Sequence, residues 1–242
     1  MTPVDNELAG LAKILPPDGL AVATAVMTRR SIRGFLPTPV ARETVGAILN
    51  IAARAPSGSN IQPWKVYAIA GELKQRMTTA LLDAHYHHQE DHKREYNYYP
   101  VNWRDPYLAR RRACGWGLYG TLGITKGDAQ RMSRQHARNY EFFGAPVGLF
   151  FTLDRDMEIG SWLDLGMFIQ SVMIAASGFG LATCPQAAFA VYPKIVCPML
   201  GIPDSEQLVC GLSLGHLDPD EPANRFWTER EDAAAFTTYI GL

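Results

Sequence analysis

The sequence has few cysteines, and none of them form a closely spaced pair. Its four cysteines are scattered along a chain of 242 residues, at Cys114, Cys184, Cys197 and Cys210. Structural zinc sites and disulfide frameworks need cysteines at short, regular spacings, often with histidines. We therefore expect buried thiols in a reducing compartment, with no metal site and no disulfide framework.

Net charge is also nearly absent. The chain has 23 lysines and arginines against 24 aspartates and glutamates, which gives a formal net charge of −1. Domains that bind nucleic acid usually carry a basic surplus that neutralises phosphates. We expect no nucleic-acid partner, so any local cluster of one charge sign needs a local explanation.

A long, uninterrupted apolar run is missing as well. The most apolar stretch, residues 162–184, contains Asp164, Gln170 and Ser177 and falls short of the ~20 apolar residues of a membrane span. Residues 1–20 lack the basic and apolar regions of a signal peptide. The sequence predicts a cytoplasmic protein without membrane association. Because residues 162–177 are apolar nearly all round, they predict a helix enclosed in the domain centre or in a subunit interface.

Three common catalytic motifs are incomplete. The pattern G-x-G-x-x-G at residues 115–120 has no preceding strand, so we interpret it as a small-residue turn and not as a dinucleotide fingerprint. The histidines between residues 85 and 92 lack the glutamate and third ligand of a zinc site, and they predict a solvated polar face. "PSGSN" does not match the G-x-S-x-G nucleophile elbow. A resident dinucleotide, a metal centre and acyl-transfer chemistry are therefore not indicated.

Helical and strand patterns alternate along the chain without repeats. Thr38 and Pro39 suit the N-cap and first position of a helix that ends before Pro56. Strands are predicted at residues 64–71, 145–154 and 206–217, and helices at residues 72–96 and 162–177. No linker or charge block divides the chain, so the sequence predicts a single domain of mixed α and β structure over residues 1–242.

The sequence does contain a cluster of arginines and a pair of nearby amide side chains. Arg29, Arg30, Ser31 and Arg33 lie within five positions, and guanidinium and hydroxyl groups together match the oxygens of a phosphate. Asn60 and Gln62 offer the donor and acceptor pairs that the amide edge of a heterocycle requires. Each group has an ordinary alternative, as a surface ion pair or a turn. In combination they indicate the two ends of a nucleotide-like cofactor.

Four segments, in this order, resemble the FMN-dependent nitroreductase family. They are "RRSIRGF", "AARAPSGSNIQPW", "GLATCPQAAF" and "LGIPDSEQLVCGLSLGHLDPDEPANRF", and the resemblance covers about residues 20–84 and 138–235. The segment "YYPVNWRDPYLARRR" is similar, more weakly, to a nitrobenzoate reductase-like subgroup. The resemblance implies an α+β fold with a central, mostly antiparallel sheet flanked by helices. It also implies an interlocked homodimer with FMN at the subunit interface.

The resemblance also implies which residues contact the cofactor. Arg29 and Ser31 would face the phosphate and ribityl chain, Arg33 the flavin ring, and Pro56 and Ser57 the flavin of the other subunit. The full implied set is Arg29, Arg30, Ser31, Arg33, Pro56, Ser57, Asn60, Pro185, Gln186, Ala187, Ala188 and Arg230. A backbone N–H in residues 185–188 would face flavin N5. Ala187 and Ala188 replace a Glu-Gly pair of some relatives, which changes the side chain at the site and keeps the backbone donor.

The implied activity is that of an NAD(P)H oxidoreductase. FMN would take a hydride from NADH or NADPH and pass two electrons to a nitroaromatic, such as a nitrobenzoate, or to a quinone, in ping-pong order. No catalytic side chain is needed, because the flavin carries the chemistry. Residues 85–140 match the family least and are expected to form a variable cap in which Trp103 and Arg104 are candidate substrate contacts. A same-fold dehalogenase or flavin-fragmenting enzyme and a non-catalytic flavin-binding protein remain alternatives.

Overall fold

A four-stranded antiparallel sheet forms the centre of the fold. The computed structural model describes residue 2 and residues 4–241. The strands are β1 (Lys65–Ala70), β2 (Val147–Asp154), β3 (Ala182–Gln186) and β4 (Glu206–Gly215), in the spatial order β1-β2-β4-β3. Each neighbouring pair runs antiparallel. The predicted α+β fold with a mostly antiparallel sheet is confirmed.

Eight α-helices surround this sheet in the described part of the chain. They are α1 (Asp5–Leu11), α2 (Pro17–Thr28), α3 (Arg42–Ala52), α4 (Gly71–His87), α5 (Tyr107–Thr121), α6 (Ala129–Ala137), α7 (Ile159–Gly178) and α8 (Pro193–Leu200). Short 3₁₀ turns join several of them. The longest helix, α7, packs against α3 and β3.

The two faces of the sheet carry separate hydrophobic cores. In β2, Leu149 and Phe151 point into a core shared with α3 and α7, whereas Phe150 points into a core shared with α4 and α8. Successive strand residues face opposite sides of a sheet, and so a strand covered on both faces is apolar throughout. Every residue of β2 except Asp154 is buried.

The sequence located most elements and misplaced some. Strands 64–71, 145–154 and 206–217 are observed as β1, β2 and β4 with shorter ends. The helix expected from Thr38 starts only at Arg42, because Ala41 is still extended. The turn expected at residues 115–120 is wrong, because its glycines lie inside α5. Gly117 of that motif is needed for packing, since an added Cβ would lie 2.5 Å from Cε2 of Phe226.

Helix α7 has one buried face and one exposed apolar stripe. By length and composition alone, α7 could cross a membrane, because a stretch of 18 of its residues has a mean hydropathy of 1.4. Of that stretch, 44% is buried inside the protein. Ile159, Leu163 and Met167 lie one turn apart and are 80%, 69% and 40% exposed. The helix is therefore a core helix with a second apolar face open to a further contact.

Candidate functional site

The segment that carries the clustered arginines runs along the edge strand of the sheet. Ser31 forms a parallel bridge with Thr183 of β3, and the Ile32 amide donates to the Thr183 carbonyl at 3.0 Å. The Ile32 side chain is buried, so its extended neighbours Ser31 and Arg33 face the other way. Two segments that are about 150 residues apart in sequence thus become neighbours.

A cavity of about 990 Å³ opens beside this segment, and we call it the arginine cavity. Its walls come from residues 29–33, from α5 and from the C-terminal segment. The lining residues are Arg29, Arg30, Ser31, Arg33, Arg110, Ala113, Cys114, the run 226–232 and Phe236. Arg230, the predicted second phosphate ligand, therefore shares one cavity with the N-terminal arginine cluster.

Arg29 and Arg230 form an electrostatically unfavourable pair across the arginine cavity. Partial burial, together with the positive charge of Arg230, lowers the pKa of the Arg29 guanidinium. The Arg29 Nε atom is buried and has no hydrogen-bond partner within residues 4–241. Like charges and an unsatisfied buried N–H are both relieved by an anion bound between them. These side chains fit a phosphate group.

The other two arginines of the cluster contact the protein itself. The Arg30 guanidinium lies 4.4 Å from the centre of the Trp227 ring, and its Nη1 donates to the Asn224 carbonyl. The Nη1 of Arg33 donates to the Ser31 carbonyl at 3.3 Å. Arg30 thus binds the C-terminal segment to the arginine cluster, while Arg33 lines the cavity.

The end of β3 lines a second, smaller cavity of about 270 Å³, which we call the aromatic cavity. Its lining consists of Tyr96, Tyr98, Trp162, Leu165, Gly166, Ile169, Pro185, Gln186, Ala187, Val209 and Cys210. The Tyr96 hydroxyl donates to the Val209 carbonyl, and burial raises the pKa of this phenol. With that hydroxyl already bonded, the cavity offers mainly apolar and aromatic surface, which suits a planar ring.

Side chains at the end of β3 turn toward the core. Gln186 Nε2 donates to the Asn139 carbonyl at 2.7 Å, and its Oε1 accepts a hydrogen bond from the Ser213 hydroxyl at 2.5 Å. Burial raises the pKa of the Cys184 thiol to about 11, which the nearby charge of Arg33 only partly offsets. Cys184 is therefore a neutral thiol near pH 7 and no nucleophile. What β3 offers to a ligand at this end is its main chain.

The loop that contains Pro56, Ser57 and Asn60 packs on helix α7. The Gly58 amide donates to Asp164 Oδ2 at 3.2 Å, and the Ser57 hydroxyl accepts from the Gln62 amide at 3.0 Å. Asn60 and Gln62 have positive φ angles of 58° and 50°, which are uncommon for residues other than glycine. Neither cavity has a residue of this loop in its lining. One chain alone does not bring this motif to the arginine cavity.

The two candidate substrate contacts lie in the cap segment, outside the lining of both cavities. Trp103 contacts Tyr99 and the guanidinium of Arg111, with ring-centre distances of 5.2 and 4.9 Å. Arg104 lies over the ring of Tyr107. Since Tyr99 in turn contacts Tyr98, Trp103 is separated from the aromatic cavity by two rings.

Several residues of these sites escaped the sequence analysis. Trp162 and Arg110 line the cavities, and Asn224 bonds to the arginine segment. Their neighbours come from distant parts of the chain, so no local pattern marks them. Of the histidines predicted to be solvated, His87 and His88 are exposed, as expected. His85 is not, because it is buried against Tyr140 with its Nε2 close to the Ser133 hydroxyl.

Comparisons with known proteins identify the family of the chain. The model of the nitroreductase family matches residues 26–216. The chain is 39% identical over 217 residues to 4-nitrobenzoate reductase from Pseudomonas putida, covering 90% of this chain and 94% of that protein. It is also 39% identical over 215 residues to nitrobenzene nitroreductase from Ectopseudomonas oleovorans, covering 89% of this chain and 95% of that protein.

A solved structure extends the likeness to the fold. The FMN and NADPH-dependent nitroreductase NfnB from sphigopyxis sp. strain HMH superposes with a TM-score of 0.88 at 38% identity. The match covers 91% of this chain and 99% of that one. Since the family model spans most of the chain and both relatives are covered almost completely, the chain belongs to the nitroreductase family.

Proposed function

We propose that the chain is an FMN-dependent NAD(P)H oxidoreductase that reduces nitroaromatics, with quinones as further acceptors. The observation that carries the proposal is the pair Arg29 and Arg230, which face one cavity with an unsatisfied buried N–H between them. A bound phosphate removes both penalties. Relatives named for FMN and NADPH and for nitrobenzoate or nitrobenzene support this choice of cofactor and substrate.

The described residues fit FMN in a definite orientation. Arg29, Ser31 and Arg230 would hold the phosphate end, and Arg33 the flavin ring edge, where its charge stabilises the negative charge that develops on reduction. The main chain of residues 185–188 would donate to the ring, because the side chain of Gln186 is committed to the core. Bound FMN supplies the chemistry, which is hydride transfer from NADH or NADPH and then two-electron reduction of the acceptor in ping-pong order.

We assign Arg30 a different part in the site from the other arginines. Its guanidinium stacks on Trp227 and donates one hydrogen bond to the Asn224 carbonyl. Through these two contacts Arg30 would hold the C-terminal segment in place beside the phosphate.

The proposed enzyme is a homodimer. The stripe Ile159, Leu163 and Met167 on α7 and the exposed Val22 and Val26 on α2 offer apolar surface for a second copy. Helices α2 and α7 pack against each other, so both contribute to this side of the molecule. A dimer formed there would bring Pro56, Ser57 and Asn60 of the partner subunit toward this chain's flavin, a task that the loop does not perform within one chain.

The acceptor would bind in the aromatic cavity, between the end of β3 and a cap formed by residues 85–140. Tyr98 and Trp162 supply faces on which a planar ring stacks, worth ~0.5–1.5 kcal/mol beyond burial. Trp103 and Arg104 stay predicted substrate contacts that act from the cap. We place the enzyme in the cytoplasm, where its four free cysteines suit a reducing environment.

The double variant Arg29→Ala with Arg230→Ala tests the assignment of the phosphate site. Loss of two charge-assisted contacts of ~1.5–3 kcal/mol each is expected to weaken FMN binding ~100-fold or more, so the purified protein should be colourless. A matched control, Arg42→Ala with Arg76→Ala, removes two exposed arginines outside the cavity and should stay yellow. Stoichiometric FMN in the first variant after extensive dialysis would show that these arginines do not hold the phosphate.

A further inference from the structure

Asn224 is a buried polar residue at the centre of the contact between the C-terminal segment and the arginine cluster. It is 5% exposed. Its Nδ2 donates to the carbonyls of Gly34 and Asp218 at 2.8 and 2.9 Å, and its Oδ1 accepts from the Arg33 amide at 2.7 Å. Its own carbonyl accepts from Arg30. One residue therefore bonds to three residues of the arginine segment, Arg30, Arg33 and Gly34.

The surfaces around Asn224 fit together with no spare room. An added Cβ on Gly34 would lie 2.1 Å from Cγ of Glu221, so only glycine permits this approach. Glu221 is held in turn by Arg138 at 2.8 Å. The guanidinium of Arg30 stacks on the ring of Trp227. Residues 218–227 are thus docked rigidly on residues 30–34.

Arg230 depends on this docking for its position. Within the described residues its guanidinium donates only to Thr228 and Glu229, which lie on the same exposed turn. Repulsion from Arg29 drives the turn away from the cluster. The position of Arg230 opposite Arg29 is therefore supported from two sides, by the contacts of residues 218–227 and by the ion pair of the adjoining Glu231 with Arg110 at 2.9 Å. Among residues 218–227, Asn224 makes the largest number of hydrogen bonds to residues 30–34.

We infer that Asn224 is a positioning residue for the cofactor phosphate, which it never touches. By fixing the C-terminal segment on residues 33 and 34, it holds Arg230 in place to share the phosphate with Arg29. The inference rests on the proposed function, because it takes FMN as the anion in the arginine cavity. It goes beyond that proposal by naming what assembles the site from the two ends of the chain.

The test compares FMN with riboflavin, which has the same ring and lacks the phosphate. Dissociation constants of both flavins are measured by titrating the full-length apoprotein and following flavin fluorescence, for the wild type and for Asn224→Ala and Asn224→Asp. The variants should weaken FMN binding about tenfold or more and leave riboflavin binding within about threefold of the wild type. In the Asn224→Ala background, Arg230→Ala should add little further loss, because both changes remove the same contact.

Thr78→Val is the control for general destabilisation. Thr78 is buried and donates to the Tyr140 carbonyl at 3.0 Å outside the arginine cavity, so this variant should keep the preference for FMN over riboflavin. Equal losses of FMN and riboflavin affinity, or additive effects with Arg230→Ala, overturn the inference. So does failure of both Asn224 variants to fold, which would make Asn224 a folding residue. A wild type that does not prefer FMN to riboflavin contradicts the proposed phosphate site instead.

Discussion

At the scale of single residues, the site depends on close approaches that leave no room for an extra atom. Gly34 is buried between the arginine cluster and Glu221, whose Cβ and Cγ would lie 2.3 and 2.1 Å from an added methyl group. Glu221 cannot move freely, because Arg138 and the Ala223 amide both bind its carboxylate. The lack of a side chain at Gly34 thus allows the C-terminal segment to pack closely against the arginine cluster.

Gly34→Ala is expected to lower the free energy of unfolding by ~1–3 kcal/mol, since overpacking forces Glu221 and its partners to shift. Urea denaturation at constant protein concentration measures the change. Gly46→Ala is a matched control, because an added Cβ there meets nothing within 4 Å and lies inside helix α3, so stability should hold or rise by ~0.5–1 kcal/mol. Equal stability of the two variants would mean that the contact with Glu221 is not needed.

The residues proposed to contact the electron acceptor can be tested one at a time. Tyr98→Ala should raise the KM for nitrobenzene several-fold and leave FMN content unchanged, because Tyr98 lines the aromatic cavity and not the arginine cavity. Trp103→Ala should act in the same direction and more weakly. Arg104→Ala should penalise 4-nitrobenzoate more than nitrobenzene, because only the former carries a carboxylate. Equal kcat/KM losses for the two acceptors would exclude Arg104 from binding, and unchanged kinetics in all three variants would place the acceptor elsewhere.

At the scale of elements, the strongly patterned segments were predictable and the short ones were not. The apolar runs of β2 and α7 are visible in the sequence. Strand β2 is covered on both faces and is therefore apolar throughout, and helix α7 has one buried apolar face and one exposed apolar stripe. Strand β3 has only five residues and includes Pro185, so its sequence gives no strand signal. It forms because β4 and the bridge at Ser31 pair with it, and a proline is tolerated at the edge of a sheet.

The candidate site could be predicted only in part, because some of its residues are clustered in the sequence and others meet only in the folded protein. The arginine cluster is local in sequence, and the resemblance to a family identified it together with Arg230 and residues 185–188. Asn224 lies in a segment that carries the resemblance, but its role in the site, like that of Trp162, depends on tertiary packing that no local pattern predicts. The glycine motif of α5 predicts a turn wrongly, because Gly117 lies in a helix for close contact with Phe226, a partner more than 100 residues away.

The exposed stripe of α7 can be tested by placing a charge in it. Leu163→Glu places a charge at the centre of the proposed subunit interface, which is expected to bury at least ~2,000 Å² in total. The variant should sediment as a monomer of 26.8 kDa and bind FMN more weakly, whereas Val101→Glu, which changes an equally exposed apolar residue of the cap, should stay dimeric. A wild type that is monomeric with full flavin occupancy would contradict the homodimer.

At the scale of the whole molecule, the fold brings the two ends of the chain to one cavity. The sheet order places β3 at an edge, where residues 29–33 run beside it and the C-terminal segment closes over them. The aromatic cavity lies at the far end of the same strand. In the proposed function, a flavin nucleotide would extend along β3, with its phosphate among the arginines and its ring near residues 185–188, and would so connect the two sites.

Anaerobic spectroscopy of the purified holoprotein tests this account most directly. NADPH and NADH are each mixed with the FMN-loaded wild type, and nitrobenzene or 4-nitrobenzoate is added once the flavin spectrum is stable. We predict that at least one nicotinamide bleaches the flavin without an acceptor present and that the nitroaromatic then restores the oxidised spectrum. A flavin that stays oxidised with both nicotinamides, or a reduced flavin that neither nitroaromatic reoxidises, would contradict the proposed function.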